Sequence, residues 1–486
     1  MSLATPEEVT KTTAVAEKTA EFVCNKSESL LSVIEKCLDN GLGTCLIVED
    51  DQRLIGRISL DDIRQALVDG TAIVDPTVGW HLASIGSMTS VSPLRNDLTH
   101  NGVLQPVVDR AGHLTGVVVD RSTQPVQVAM PALTRHEFRS MLDAFISSWI
   151  SSRGPYVQKF EEDFSGFVGV RHGIAVSNGT VALHLALVAL GIGPGDEVIV
   201  PDLTFAATIN AVLYCGATPV IVDVDPRTWC MTLATIEHAC TERTKAIIPV
   251  HLYGRPAEMG PITKFAKSRG IAVVEDCAEA HGARYAGRMV GEFGDVSCFS
   301  FYANKIVTTG EGGMCLTGSD DLARSLRELR DHGMSPDRSY WHERVGYNYR
   351  ITNLQAAIGQ SQLWRIGEVL RRNARIAELY RQALEGIAGV RFPPPMGEDY
   401  EPVVWLACVQ VPADKRLSVM RAAHAAKIET RPFFHPLSTL PPYGKYARTC
   451  PHSLELSATG INLPTSRAVD EQVVERVARV FHDVLA

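Results

Sequence analysis

Between Gly173 and Glu275 the chain repeats one pattern, a short apolar run rich in β-formers followed by a stretch with helical spacing. Gly173 to Val176 (GIAV) reads as a strand and Val181 to Leu190 as a helix. Glu197 to Val200 (EVIV) reads as a strand and Ala206 to Tyr214 as a helix. Pro219 to Val222 (PVIV), Ala246 to Val250 (AIIPV) and Ile271 to Glu275 (IAVVE) read as further strands. A strand that is apolar throughout must be covered on both faces, and intervening helices supply the cover. The pattern predicts an α/β fold on a mostly parallel sheet, with ligands beyond the carboxyl ends of the strands. After about Gly367 a long charged helix (EVLRRNARIAELYRQAL), then short strands and helices, predict a second, smaller domain.

The first 130 residues are different in character and repeat internally. Ser29 to Leu38 has helical spacing, Gly43 to Glu49 and Leu54 to Ser59 read as strands around a turn, and Asp61 to Val68 reads as a helix. The strand-turn-strand recurs in Leu104 to Val108, Asp109 to Gly112 and Leu114 to Val119. This α+β duplication resembles a CBS-domain pair. The resemblance implies an adenine-nucleotide site at Ser59 and Asp62, in Gly56-Arg57-Ile58-Ser59-Leu60-Asp61-Asp62, with the hydroxyl on phosphate and the carboxylate on ribose. The same two residues also suit a helix start, Ser59 as N-cap and Asp62 reaching back. The second half, Gly116 to Ser122, departs from the pattern, so one nucleotide site is expected at most. Val126 to Glu137 reads as a joining segment.

Composition closes several classes. A length of 486 residues allows two to four domains at roughly 100–200 residues each. A formal net charge of −8 speaks against general nucleic-acid binding. No apolar run approaches the roughly 18 residues that span a bilayer, and residues 1–20 read as a polar leader without a signal core, so no membrane partner is expected. Eleven cysteines, none in a CxxC pair, predict reduced thiols in the cytoplasm rather than a disulfide framework or a zinc site. His332 and His342, ten apart in a polar loop, do not suggest a metal, and none is expected.

Three polar groups fall where strands end. Ser177-Asn178-Gly179-Thr180 opens a helix and can offer free N–H groups to an anion. Asp276 ends the strand IAVVE and could hold a heterocyclic nitrogen protonated, or simply cap a helix. Lys305 follows Phe299-Ser300-Phe301-Tyr302 and precedes the turn Thr309-Gly310-Glu311-Gly312-Gly313, an apolar setting that lowers a lysine's pKa. Together, in this order, they are what pyridoxal 5′-phosphate (PLP) requires.

From about Met130 onward the chain resembles the DegT-type nucleotide-sugar aminotransferases of PLP fold type I. The likeness runs through SNGTVALHLALVALGIGPGDEVIVPDLTFAATINAVLYCGATPV, HLYGRPAEM, VVEDCAEAHGARYAGRMVGEFGDVSCFSFYANKIVTTGEGGM and GYNYRITNLQAAIG. The two resemblances together imply a CBS pair over residues 21–128, a large PLP-binding domain over 129–366 and a small domain over 367–486. By position it assigns Lys305 as the lysine that bonds the cofactor and Asp276 as the partner of the ring nitrogen. Glu279 falls near the ring hydroxyl, where many members have Gln. Phe205 falls on the ring face, and Gly179, Thr180 and Ser300 on the phosphate. Asn348 would reach the phosphate of a neighbouring subunit's cofactor, which implies a homodimer or larger assembly.

The implied reaction moves an amino group from an amino acid, with glutamate expected, to a nucleotide-linked keto sugar in two half-reactions, Lys305 acting as base and acid. Lysine at position 305 argues against the related dehydratases, which carry His there. Asp331 to Ser335, Tyr340-Trp341-His342 and Thr430 to Leu437 are most like the GDP-perosamine synthase branch, which aminates C4 of GDP-4-keto-6-deoxymannose. Tyr340, Trp341, Arg431 and His435 are the substrate contacts this suggests, Arg for diphosphate and aromatics for sugar or base faces. A UDP-linked 4-keto or 3-keto sugar is the alternative substrate. A nucleotide-sensing regulator without turnover is the alternative of another class, and the intact catalytic positions speak against it.

Overall fold

The apolar runs assemble into one seven-stranded sheet, in the order His172–Val176, Gly313–Thr317, Val296–Ser300, Ala272–Asp276, Thr244–Ile247, Glu197–Pro201 and Thr218–Val222. Gly313–Thr317 is antiparallel to both neighbours, and every other pair is parallel, so the expected mostly parallel sheet is present. This architecture comes from a computed structural model, which describes residues 19–25, 28–68, 104–109, 111–119, 124–335 and 337–486.

Successive strand residues point to opposite faces. Ile199 and Val273 enter one core, with Phe160, Phe164, Phe299 and Phe301. Val198, Val200 and Val274 enter the other, with Leu185 and Ile209. That two-sided burial is why the runs carry no polar alternation. The helix Gly179–Ala189 is buried over six consecutive residues, Ala182 to Leu187, and is therefore apolar on most of its circumference. By contrast, Ile366–Leu384 buries Ile366, Asn373, Ile376, Tyr380 and Leu384, a single stripe at helical spacing, and is the long charged helix expected there. Beyond it, Ala407–Gln410, Gly460–Leu463 and Arg431–Pro432 form a small antiparallel sheet.

By internal packing the described chain falls into two units. One takes the described residues up to Val126 with Ala132–Arg139 and Arg467–Arg476, and the other takes Gln127–Pro131, Ser140–Ser466 and Val477–Ala486. In the first, Arg467 donates to the carbonyls of Leu38 and Asp39, and Arg139 makes a two-point pair with Glu35 at 2.5 and 2.7 Å.

The duplication is visible in this unit. Thr44–Val48 pairs antiparallel with Leu54–Ser59, and Leu104–Val108 with Leu114–Val119. Both hairpins shift register at the corresponding point, between Ile47 and Val48 and between Val107 and Val108. Their turns pair reciprocally, Leu54 N–H to Gly112 C=O (3.1 Å) and Leu114 N–H to Gln52 C=O (2.9 Å). Asp120 and Ser122, the end of the second copy, and nearly all of the expected leader lie outside the described residues.

Candidate functional site

The parallel strands end on one cavity of about 720 Å³. It is lined by six of the residues named from sequence for the cofactor, Gly179, Thr180, Phe205, Asp276, Glu279 and Ser300, as well as by Lys305 and Arg431.

The cradle at the helix start is built by close approach. Asn178 caps Gly179–Ala189 by accepting the Val181 N–H at 3.0 Å. That leaves the first N–H groups of an eleven-residue helix at the cavity, a position that favours an anion. A Cβ on Gly179 would lie 2.8 Å from Ser300 Cβ, so only glycine lets the strand end and the helix start meet.

Asp276 is buried. Its Oδ2 accepts Thr208 Oγ1–H at 2.9 Å and its Oδ1 accepts the Ala278 N–H at 3.2 Å. Burial pushes its carboxyl up from the usual range, while Thr208, Ala278 N–H, Lys305 and His251 oppose the shift. A carboxylate so placed gains from a cationic partner such as a protonated ring nitrogen. Lys305 Nζ lies 3.7 Å from Glu279 Oε1. Burial lowers the lysine's pKa against the pull of Glu279 and Asp276. Burial likewise raises Glu279 to about 7, with Lys305 and the Tyr253 N–H drawing it back. Phe205 is 58% exposed and its ring meets Phe434 at 5.8 Å, which leaves a flat apolar face at the cavity.

Other named residues lie elsewhere. Arg431 lines the cavity, but its guanidinium is paired with Glu429 at 3.0 and 3.1 Å. Tyr340, Trp341, His435 and Asn348 are exposed and do not line the cavity. Tyr340 is 89% exposed, and Arg338 covers the Trp341 ring at 4.0 Å. Asn348 gives its Oδ1 to Arg350 Nε–H at 3.0 Å, which turns its amide N–H₂ away. In the other unit, Ser59 and Asp62 satisfy each other. Ser59 N–H and Oγ–H donate to Asp62 Oδ2 at 2.8 and 2.6 Å, and Asp62 N–H donates to Ser59 Oγ at 3.1 Å, which is a capping box.

Sequence reasoning did not find Thr208, Tyr253, Asn304 or Trp405, all of which serve the site. Thr208 sits in a mostly apolar helix, Ala207–Tyr214, and carries no local signal. For Trp405, the only hint is a bulky aromatic among short strand residues.

The residues fit PLP, with N–H groups and Ser300 for a phosphate, Asp276 for a ring nitrogen and a lysine of lowered pKa opposite. Comparison with known proteins agrees. The family model described as DegT/DnrJ/EryC1/StrS aminotransferase family matches residues 131–482, and a CBS domain matches residues 17–69. A GDP-perosamine synthase of Caulobacter vibrioides is 46% identical over 370 residues, 74% of this chain and 98% of that one. One from Escherichia coli O157:H7 is 44% identical over 72% of this chain and 96% of its own length. The UDP-N-acetyl-3-dehydro-alpha-D-glucosamine 3-aminotransferase of Acidithiobacillus ferrooxidans is 42% identical over 67% of this chain and 87% of its own. The structure of Spr1654 from Streptococcus pneumoniae in its PLP form superposes with a TM-score of 0.70 at 27% identity, covering 74% of this chain and 98% of that one.

Proposed function

This chain belongs to the DegT/DnrJ/EryC1/StrS aminotransferase family, and from that premise we propose that it aminates C4 of GDP-4-keto-6-deoxymannose, yielding GDP-perosamine, with glutamate as amino donor. Sugar aminotransfer with PLP is the activity this membership carries. The finer substrate assignment rests on relatives named GDP-perosamine synthase at 44–46% identity. The observation that carries the site assignment is the convergence of Lys305, Asp276, Glu279, Gly179, Thr180 and Ser300 on one cavity.

When bound, PLP supplies an electron-accepting ring that stabilises charge at the carbon losing its proton. Gly179 and Thr180 N–H groups and the Ser300 hydroxyl would hold the phosphate end. Asp276 would keep the ring nitrogen protonated, with Thr208 orienting its carboxylate. Phe205 would offer its apolar face to the ring, and Glu279 would bind the ring hydroxyl. Lys305 Nζ, whose pKa burial lowers, would take the proton from the donor's α-carbon and hold it for return, and would move a proton in the opposite sense at the keto-sugar carbon. Arg431 turns from Glu429 to the substrate diphosphate. Tyr340, Trp341, His435 and Asn348 act across a dimer interface, which accounts for their exposure in one chain, and Asn348 then offers its amide N–H₂ to the partner's phosphate. Exposed Phe145, Ile146, Trp149 and Ile150 support such an assembly. Eleven free cysteines, and no helix among the described residues long and apolar enough to cross a membrane, support a cytoplasmic site of action.

Lys305→Ala should abolish the visible absorbance of bound cofactor and lower turnover by at least about a thousandfold, as removal of a covalent catalyst does. Unchanged turnover would sink the reading. Incubation with glutamate and GDP- or UDP-linked keto sugars, read by mass spectrometry, tests the sugar. Amination of UDP sugars alone would favour the second reading, which the 42%-identical UDP-sugar relative supports. We also propose that the N-terminal unit binds an adenine nucleotide at Ser59 and Asp62 and alters activity. Such binding must open their mutual capping bonds, and calorimetry with AMP, ADP and ATP that detects no heat would remove it.

A further inference from the structure

The groups around Lys305 close on one another. Lys305 Nζ lies 3.8 Å from the centroid of the Trp405 ring and 3.7 Å from Glu279 Oε1. Glu279 Oε2 accepts the Tyr253 N–H at 2.8 Å. The Tyr253 ring stacks on Trp405 with centroids 6.1 Å and planes 22° apart. Trp405 Nε1–H donates at 2.7 Å to the carbonyl of Asn304, the residue before Lys305. Tyr253 reaches this place with φ at +52°, a left-handed backbone that costs a bulky residue energy and persists only where the surroundings enforce it.

Trp405 is only 5% exposed, so the ammonium over its face is largely out of water. A cation–π contact is worth most under that condition. We propose that Trp405 is a positioning residue for Lys305, its indole face seating the Nζ ammonium beside Glu279 whenever that nitrogen is not bonded to cofactor. The proposal rests on the aminotransferase reading and deepens it. Over the two half-reactions the lysine must leave its covalent partner once, transfer a proton in each half, and return only at the end. A lysine side chain, with four rotatable bonds, has substantial rotamer entropy to lose in being held still. A ring face on one side and a carboxylate on the other hold it at two points. The charged or titratable groups acting with Lys305 here are Glu279, Asp276, Arg431 and His281. Beside these groups Trp405 is a partner whose hold depends on the lysine's positive charge yet which carries no charge of its own and does not titrate.

The test uses PLP-loaded Trp405→Phe and Trp405→Leu beside wild type. It measures kcat, KM for the amino donor, the pH dependence of kcat, the pH titration of the cofactor's visible absorbance, and thermal unfolding. Trp405→Leu should lower kcat about tenfold, the order a desolvated cation–π contact is worth, with KM for the donor unchanged. Its acid limb should move to lower pH, since the charged lysine loses support. Trp405→Phe keeps a ring face without the N–H donor and should stay within about threefold of wild type. Loss in Trp405→Phe as deep as in Trp405→Leu would overturn the proposal, because the bond to Asn304 would then be the cause. So would wild-type kcat and titration in Trp405→Leu. Trp405→Met, which fills the space without a π face, repeats the comparison if the Leu variant unfolds. A wild-type enzyme with no cofactor absorbance would instead defeat the aminotransferase reading, a result separate from either of these.

Discussion

A lysine and a carboxyl 3.7 Å apart and both largely buried cannot both keep their ordinary protonation behaviour. Glu279, raised to about 7 by burial, keeps its proton in the folded chain at pH values where the unfolded chain has lost it. Its contribution to stability is therefore complete below the ordinary glutamate value of 4.5 and is lost as pH rises through about 7. Glu279→Gln removes this titration. We expect its unfolding temperature to fall less than that of wild type between those two pH values, measured by thermal denaturation across a pH series. Thr208 argues at the same scale. It is fully buried and gives the Asp276 carboxylate the shorter of its two hydrogen bonds, 2.9 against 3.2 Å. Thr208→Val should raise Asp276 further and weaken PLP binding roughly tenfold to a hundredfold, the worth of one buried hydrogen bond to a charged group. Absorbance titration of PLP into stripped enzyme measures this. Asp276 and Lys305 could be read from the sequence, because strand ends and an aromatic-flanked lysine are local signals. Thr208 could not, because a threonine in an apolar helix announces nothing until a strand sixty-eight positions later in sequence is folded against it.

At the scale of elements, the site depends on how closely the helix Gly179–Ala189 starts against the strand Val296–Ser300. Gly179→Ala places a methyl 2.8 Å from Ser300 Cβ, and strand residue Ser300 cannot retreat without breaking its pairing with Gly313. Overpacking of this kind costs about 1–3 kcal/mol. We expect a lower unfolding temperature together with a clear loss of PLP affinity, read by calorimetry and absorbance. Unchanged affinity would remove Gly179 from the cradle. Helices and central strands were legible here because two-sided burial leaves unbroken apolar runs. Val296–Ser300 and Gly313–Thr317 were not, since VSCFS and GMCLT mix small and polar residues and become strands only through pairing. At the front, the Ser59–Asp62 pattern supported two readings. The folded chain realises the cap, and the nucleotide reading must compete with it.

Across the whole molecule, two strand-end carboxylates hold segments far away in the chain. Asp202 accepts Ser438 N–H at 2.7 Å and Ser438 Oγ–H at 3.0 Å, and Asp223 accepts Ser453 N–H at 3.0 Å and Ser453 Oγ–H at 2.8 Å. Burial raises Asp202 despite the Ser438 donors that oppose it. These grips fix the run that follows Arg431 and Phe434, both of which line the cavity. Asp202→Ala leaves two partly buried donors of Ser438 unpaired, at about 1 kcal/mol. We expect a lower unfolding midpoint and a raised KM for the keto sugar, with KM for the amino donor less affected. Steady-state kinetics with each substrate varied checks this.

The amino-acid sequence by itself determined the alternation of strands and helices, the internal duplication and the polar groups at strand ends. Each is written in the spacing of neighbouring residues, where periodicity and capping act. Only the tertiary structure decided that Thr208, Tyr253, Trp405 and Arg431 converge on Asp276, Glu279 and Lys305. Those contacts join positions as much as one hundred and more residues apart, as Trp405 with Asn304 and Phe434 with Tyr253 do. They are selected by packing volume and by the need to satisfy buried polar groups, and neither leaves a mark on local sequence pattern.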